Sequence, residues 1–193
     1  MKTARQIEIT EAALNLISEK GIQGMTMKNL SKKIGISEPA IYRHYENKIE
    51  ILIAILDIFK ENMASIFEQE LHSSSTVLEK IEDLFMQHFS SFSQNPSLVS
   101  VIFSEEIFRN EPTLISKIYE VIEKNTAILR SIIEQGQAMN EIRSDIEANH
   151  LAIVIMGSLR LFVKQWQFNH YVFDLNAKGK ELVTSIINLL RAD

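Results

Sequence analysis

The sequence predicts an all-α fold of about nine helices. Apolar residues recur every three or four positions along most of the chain, which is the period of an amphipathic helix. Strand signals are nearly absent, because the chain contains no Asn-Gly or Asp-Gly hairpin turn and no long alternation of apolar and polar residues. We expect a three-helix head at the N-terminus, followed by a larger C-terminal helical bundle.

The first predicted helix covers Thr3–Lys20. Thr3 and Gln6 have the spacing of a capping box, in which each side chain bonds to the other residue's backbone amide. Gly21 follows, at the position where helices commonly end.

Two short helices of one to two turns follow within residues 25–45, the first capped by Thr26 and the second by Ser37. Thr26 and Ser37 are good N-cap residues, and Pro39 is tolerated because it falls in the first turn of its helix. Between the helices, Gly35 can take the left-handed conformation that closes a tight turn. Two such helices joined by a short turn with glycine are typical of a helix-turn-helix.

The remaining chain reads as one connecting helix and a bundle. Asn47 caps the connecting helix, which runs to about residue 69, and a polar break follows at residues 73–76. The chain is therefore divided into a head, 1–48, and a body, 49–193, in which residues 49–72 connect the two. The other predicted helices of the body are 77–94, 96–109, 112–138, 146–169 and 176–191.

Composition excludes several classes of function. The chain has 193 residues and no cysteine, which removes disulfide scaffolds, Cys-ligated zinc and thiol nucleophiles. It also lacks a His-Glu-x-x-His zinc motif, a glycine-rich phosphate loop and the two Glu-x-x-His motifs of a di-iron bundle. We therefore expect no catalytic residues, no metal and no cofactor. No secretory signal or membrane-spanning stretch is visible, so we expect a cytoplasmic protein.

Charge is distributed unevenly between head and body. Residues 1–48 hold eight Lys or Arg against five Glu, a net charge of +3, whereas residues 49–193 hold twelve against twenty, a net charge of −8. A basic head on an acidic body can bind a polyanion at one end, and the alternative is ordinary surface variation.

The second helix of a helix-turn-helix enters the major groove of DNA. Glu38 can accept a hydrogen bond from cytosine N4, and Pro39 or Ala40 can contact a thymine methyl group. Hydroxyl, imidazole and basic side chains nearby are suited to phosphate oxygens, whereas we expect Tyr45 to seal the small core of the head. The predicted DNA-contacting residues are Thr26, Lys28, Ser37, Glu38, Pro39, Ala40, Tyr42, Arg43, His44 and Lys48.

The segment Thr26-Met-Lys-Asn-Leu-Ser-Lys-Lys-Ile-Gly-Ile-Ser-Glu-Pro-Ala-Ile-Tyr-Arg-His-Tyr-Glu-Asn-Lys48 resembles the DNA-binding signature of the TetR/AcrR family of bacterial transcriptional regulators. The resemblance covers residues 4–55. It implies a homodimer that binds a palindromic operator and is released when a small molecule occupies the helical body. Matching positions imply DNA contacts at Thr26, Ser37, Pro39, Ala40, Tyr42, His44 and Lys48.

Two positions depart from the pattern of this family. Glu38 is acidic where many members have a basic or neutral residue, so the base read at this position stays open. Arg43 stands where an aromatic residue or histidine is frequent, and it can add a phosphate contact.

The last two predicted helices are too apolar for a single buried stripe. Residues 151–159 are apolar on nearly every face, and a helix apolar all round must be buried all round. We expect a four-helix interface in a twofold dimer, with the two heads about 34–36 Å apart on DNA; the alternative is a larger monomer core. The predicted interface residues are Leu151, Val154, Ile155, Gly157, Ser158, Leu182, Ile186 and Leu189.

The body is also rich in aromatic residues at helical spacing. Such residues are often plain core, but the resemblance implies a cavity, and we hypothesise an apolar pocket for a hydrophobic ligand such as an acyl chain or an aromatic compound. His88 and Glu105 are the favoured polar anchors. The full set of predicted pocket residues is Phe85, His88, Phe89, Phe92, Phe103, Glu105, Phe108, Tyr119, Met139, Phe162 and Trp166.

These features favour a ligand-responsive, sequence-specific DNA-binding regulator, most simply a repressor, with operator DNA, a hydrophobic effector and a second copy of the chain as its partners. Two alternatives stay open at this point. One is an enzyme built on a helical bundle, whose required motifs are missing. The other is a helical adaptor that binds a protein and retains the head as a relic.

Overall fold

The computed structural model describes residues 2–103 and 111–192, and it confirms the all-α prediction. Nine helices lie within these described residues, and no strand longer than an isolated bridge occurs among them. The helices are α1 Ala4–Gly24, α2 Met27–Ile34, α3 Glu38–Tyr42, α4 Lys48–His72, α5 Val77–Gln94, α6 Pro96–Ile102, α7 Pro112–Ala138, α8 Ala148–Phe168 and α9 Leu175–Leu190.

Local signals set the helix starts. Thr3 Oγ1 accepts from the Gln6 amide (3.2 Å) and Gln6 Oε1 accepts from the Thr3 amide (3.0 Å), which is the predicted capping box. Asn47 Oδ1 accepts from the backbone amides of Ile49 and Glu50, as expected of a cap at the start of α4.

The turn of the helix-turn-helix depends on one glycine. Gly35 has φ 78° and ψ 30°, the left-handed conformation, and its amide donates to the Ser31 carbonyl over 2.9 Å. Gly21 also has a positive φ (69°) and interrupts α1, whose last turn resumes beyond it. The regular helix therefore breaks at Gly21 as predicted, and one further helical turn carries α1 to Gly24.

Contacts divide the chain into two compact units. The first unit consists of residues 1–60 and 95–119, and the second of residues 61–94 and 120–193. Within the first unit, α1 packs against α2 and α6, and α2 packs against α3. Within the second unit, α9 packs against α5 and α8. The first unit thus contains the whole predicted head, residues 1–48, and contacts of α6 with α1 add a segment that is distant in the sequence.

In the second unit, residues that follow α7 pair with the last turn of α9. Ile142 forms a bridge with Arg191, and the Arg143 amide donates to the Leu190 carbonyl over 2.8 Å. Among the described helices, none combines the length and the apolar character needed to span a membrane.

Candidate DNA-binding surface and effector cavity

One face of the recognition helix α3 is fixed to the head. Ile41 is fully buried, and the buried Tyr45 places its hydroxyl 3.5 Å from the Gln6 carbonyl at the start of α1. Burial, and secondarily the charge of Glu50, raises the pKa of the Tyr45 phenol above its ordinary value, so it stays protonated as a donor. These contacts fix the rotation of α3 about its own axis.

The other face of α3 is open to solvent. Tyr42 is 48% exposed, Pro39 and Arg43 are exposed, and His44 is half-buried. Every predicted DNA-contacting residue is therefore exposed or half-buried in the first unit. The exposed members are Thr26, Lys28, Ser37, Pro39, Tyr42, Arg43 and Lys48, and the half-buried members are Glu38, Ala40 and His44.

Hydrogen bonds within the head already engage some of these polar groups. Thr26 Oγ1 accepts from the Asn29 amide over 3.1 Å, so this hydroxyl caps α2, and its O–H can still donate to a phosphate oxygen. Ser37 differs, because among the described residues its side chain makes no capping bond to α3. The Lys33 ammonium lies 2.7 Å from a carboxylate oxygen of Glu19, so this lysine of α2 is already paired within the head.

The second unit contains a small apolar cavity. Its volume is about 10 Å³, which is close to the minimum that can hold one water molecule. The wall is apolar apart from one imidazole. The lining residues are Phe67, Ile81, Leu84, Phe85, His88, Leu129, Ile155, Met156 and Leu159.

His88 is the titratable group in this wall. It is buried, its Nδ1 lies 2.9 Å from the Leu84 carbonyl oxygen, and its ring packs edge-on to Phe67 at 5.5 Å between centroids. Burial lowers the pKa of the imidazole below its ordinary value of 6.5, an effect that the Leu84 carbonyl opposes in part. The ring is therefore neutral at neutral pH and fits an apolar wall.

The structure places the predicted pocket residues in several locations. Phe85 and His88 line the cavity, and Phe89 and Phe92 are buried next to them on α5. Phe162 and Trp166 lie in a neighbouring aromatic cluster, in which the Trp166 indole donates to the Phe173 carbonyl over 2.9 Å.

Other predicted pocket residues lie elsewhere. Tyr119 and Met139 are 63% and 65% exposed in the single chain and are not among the cavity-lining residues. Phe103 is buried, belongs to the first unit, and is not among the cavity-lining residues. Glu105 and Phe108 lie outside the described residues.

The aliphatic part of the wall is absent from the sequence-based prediction. Leu129, Ile155 and Met156 line the cavity, whereas most of the predicted pocket residues are aromatic. Apolar positions at helical spacing on α7 and α8 are the available signal, although the same pattern also describes ordinary core.

The predicted interface residues divide into two groups. Val154, Gly157 and Leu189 are exposed in the single chain, and Ser158 and Leu182 are half-buried. Leu151, Ile155 and Ile186 are buried in the single chain. One face of α8 packs into the core, so only the opposite face can contact a second copy of the chain. This exposed face also carries Leu161 and Phe168.

A helix-turn-helix head with an exposed recognition helix, joined to a helical body with an apolar cavity, defines a DNA-binding regulator. Residues 9–55 match the profile of bacterial regulatory proteins of the tetR family, and residues 59–189 match the C-terminal region of YsiA-like proteins. The chain belongs to the tetR family. It is a ligand-responsive DNA-binding transcriptional regulator, and regulators of this family bind operators as dimers.

Among characterised relatives, the fatty acid metabolism regulator protein of Bacillus subtilis (strain 168) is 27% identical over 192 residues, covering 98% of this chain and 95% of the relative. The nucleoid occlusion factor SlmA of Vibrio campbellii is 27% identical over 169 residues, covering 84% of this chain and 86% of that protein.

Two solved structures are similar over nearly their whole length. FadR from Bacillus subtilis in complex with stearoyl-CoA has a TM-score of 0.81 and 25% identity, covering 96% of this chain and 97% of that one. The fatty acid degradation regulator FadR from Bacillus halodurans has a TM-score of 0.88 at 21% identity and covers 100% of both chains, which shows the shared fold.

Proposed function

We propose that this protein is a repressor whose effector is a long-chain acyl thioester of the acyl-CoA class. The observation that carries the proposal is the composition of the cavity wall: eight of its nine lining residues are apolar and the ninth is the neutral His88 imidazole, which suits an alkyl chain better than a polar ligand. The similarity to a regulator in complex with stearoyl-CoA supports the same class of ligand.

The DNA contacts are assigned to the exposed side of the head. Tyr42, Arg43 and Lys48 would bind phosphate oxygens, and Glu38, Pro39 and Ala40 would contact base edges in the major groove. Two heads in a homodimer would read the two halves of a palindrome, and the second head raises affinity through high local concentration. The exposed face of α8, together with Leu182 and Leu189, is the proposed dimer surface.

Effector binding would act by shifting a conformational population. A cavity of about 10 Å³ cannot hold an alkyl chain, so binding requires that side chains of the wall move. The effector releases DNA only if it binds more tightly to conformations with low operator affinity, and the coupling is reciprocal.

The protein would act by binding alone, without catalysis. Its target is the bacterial chromosome, and we therefore place its action in the cytoplasm.

Operator release tests this function directly. A labelled operator, obtained by binding-site selection with the purified protein, is titrated to saturation and followed by fluorescence anisotropy while stearoyl-CoA is added. We expect stearoyl-CoA to release the DNA and free coenzyme A, the matched control, to leave it bound. Unchanged operator binding at saturating stearoyl-CoA would contradict the proposal and favour a DNA-bound factor without an acyl effector.

A further inference from the structure

A continuous row of aromatic rings leads away from the cavity. Phe85 lines the cavity, and the ring centroids of Phe85 and Phe89 are 5.9 Å apart. Phe162 lies 5.7 Å from Phe89, and Phe173 lies 5.6 Å from Phe162. The first two rings are buried and the last two are half-buried, so the row runs from the cavity towards solvent.

Phe89 is the second ring of this aromatic row, and it packs against α9 at Gly179. A Cβ atom placed on Gly179 would lie 2.3 Å from Cδ2 and 2.5 Å from Cε2 of the Phe89 ring, which is closer than atoms can approach. Phe89 is fully buried, so the backbone of α9 supports one side of its ring. Any side chain at position 179 would push this ring away from α9.

His88 and Phe85 differ in how firmly they are held in the cavity wall. The His88 imidazole is fixed by its contact with the Leu84 carbonyl and packs against Phe67 and Phe92. The Phe85 ring is packed by dispersion contacts alone, and a rotamer change can redirect it. Once Phe85 turns, the next obstacle for an entering chain is Phe89, backed by helix backbone.

We propose that Phe89, held in place by Gly179, sets the length of the apolar chain that this pocket accepts. The inference rests on the proposed acyl effector and adds the residue that determines its length. The terminal methyl group would meet the Phe89 ring, and longer chains would have to displace this ring against α9.

The test is the dependence of affinity on chain length. Saturated acyl-CoA thioesters from octanoyl to stearoyl, in two-carbon steps, are titrated by calorimetry into the purified protein. Each methylene group buried should raise affinity about fourfold until the chain reaches the end wall, where the plot of log affinity against length breaks. In Phe89→Ala the break should move to longer chains, and in the milder Phe89→Leu it should move in the same direction by less.

Gly179→Ala should shift the break to shorter chains, because the added methyl group pushes the ring towards Phe85. The matched control is Gly136→Ala, a buried glycine of the same unit whose added Cβ would lie 2.8 Å from Ile142 and Val77. This variant should lose stability through a similar clash and keep the wild-type break. If Gly179→Ala does not fold, Phe89→Leu decides.

The outcomes separate the two claims. If the wild-type protein binds no acyl-CoA of any length, the proposed effector class is wrong. If it binds them and the break stays in place in folded Phe89 variants, or moves equally in Gly136→Ala, the assignment of Phe89 is overturned.

Discussion

Tyr42 and Glu38 lie one helical turn apart on α3 and are expected to have different roles on DNA. Tyr42→Ala removes a phosphate-directed hydroxyl, so operator affinity should fall for all sequences alike. Glu38→Ala removes a base-directed acceptor, and it should change preference at one position of each half-site, with about 1–3 kcal/mol of discrimination lost there. Binding-site selection with each variant measures both effects. Equal weakening of every site by Glu38→Ala would contradict its assignment to base contact.

At the same scale, His88 couples stability to pH. Its pKa is lowered in the folded protein, so below the ordinary value of 6.5 the unfolded chain binds a proton that the folded chain excludes. The free energy of unfolding should therefore fall as pH drops below 6.5, by at most about 1.4 kcal/mol per pH unit from this group.

Urea unfolding at a series of pH values checks this prediction. His88→Phe should reduce the pH dependence, and His72→Phe, at an exposed histidine, is the matched control and should keep it. An unchanged slope in His88→Phe would contradict the role assigned to burial.

At the scale of elements, the turn between α2 and α3 is the most sensitive point of the head. Gly35 has φ 78°, and no neighbouring atom lies within 4 Å of a Cβ built there, so the cost of Gly35→Ala is one of backbone conformation alone. We expect a loss of about 1–2 kcal/mol in the free energy of unfolding, measured by urea titration. Gly35→Asn should lose less, because asparagine tolerates the left-handed region. Equal stability of wild type and Gly35→Ala would show that the turn is not required.

Elements that depend on local signals were predictable from the sequence. The predicted limits of α5 and α7 match the structure, because Thr76 caps the first turn of α5 and Pro112 opens α7. The packing of α6 on α1 was not predictable, since it joins residues far apart in the sequence. Ser37 is a mixed case. It occupies the predicted N-cap position of α3, but its side chain makes no capping hydrogen bond to the described helix.

The exposure of a site residue can be predicted where polar and apolar residues alternate with the period of the helix. The exposed face of α3 follows from its short sequence, whereas the inward face of α8 does not. Leu151 and Ile155 point into their own unit and Val154 points out, yet all three are equally apolar. When a helix is apolar on every side, only tertiary contacts decide which face meets the core.

At the scale of the whole molecule, the exposed face of α8 is expected to hold the dimer together. Leu161 is 62% exposed in the single chain, so Leu161→Asp should leave the fold intact and place two charges in the interface. We expect dissociation to monomers, measured by light scattering, and weaker operator binding. Ile122→Asp, at a 42% exposed residue of α7, is the matched control and should stay dimeric. A dimeric Leu161→Asp protein would place the interface elsewhere.

The central claim is that the basic head binds duplex DNA through its phosphates, and the salt dependence of operator affinity tests it most directly. The logarithm of the association constant should fall linearly with the logarithm of salt concentration, with a slope of about −0.9 for each phosphate contact. Lys48→Ala should make this slope shallower by about 0.9 for each head of the dimer. A slope near zero in the wild-type protein, or the same slope in Lys48→Ala, would contradict the account.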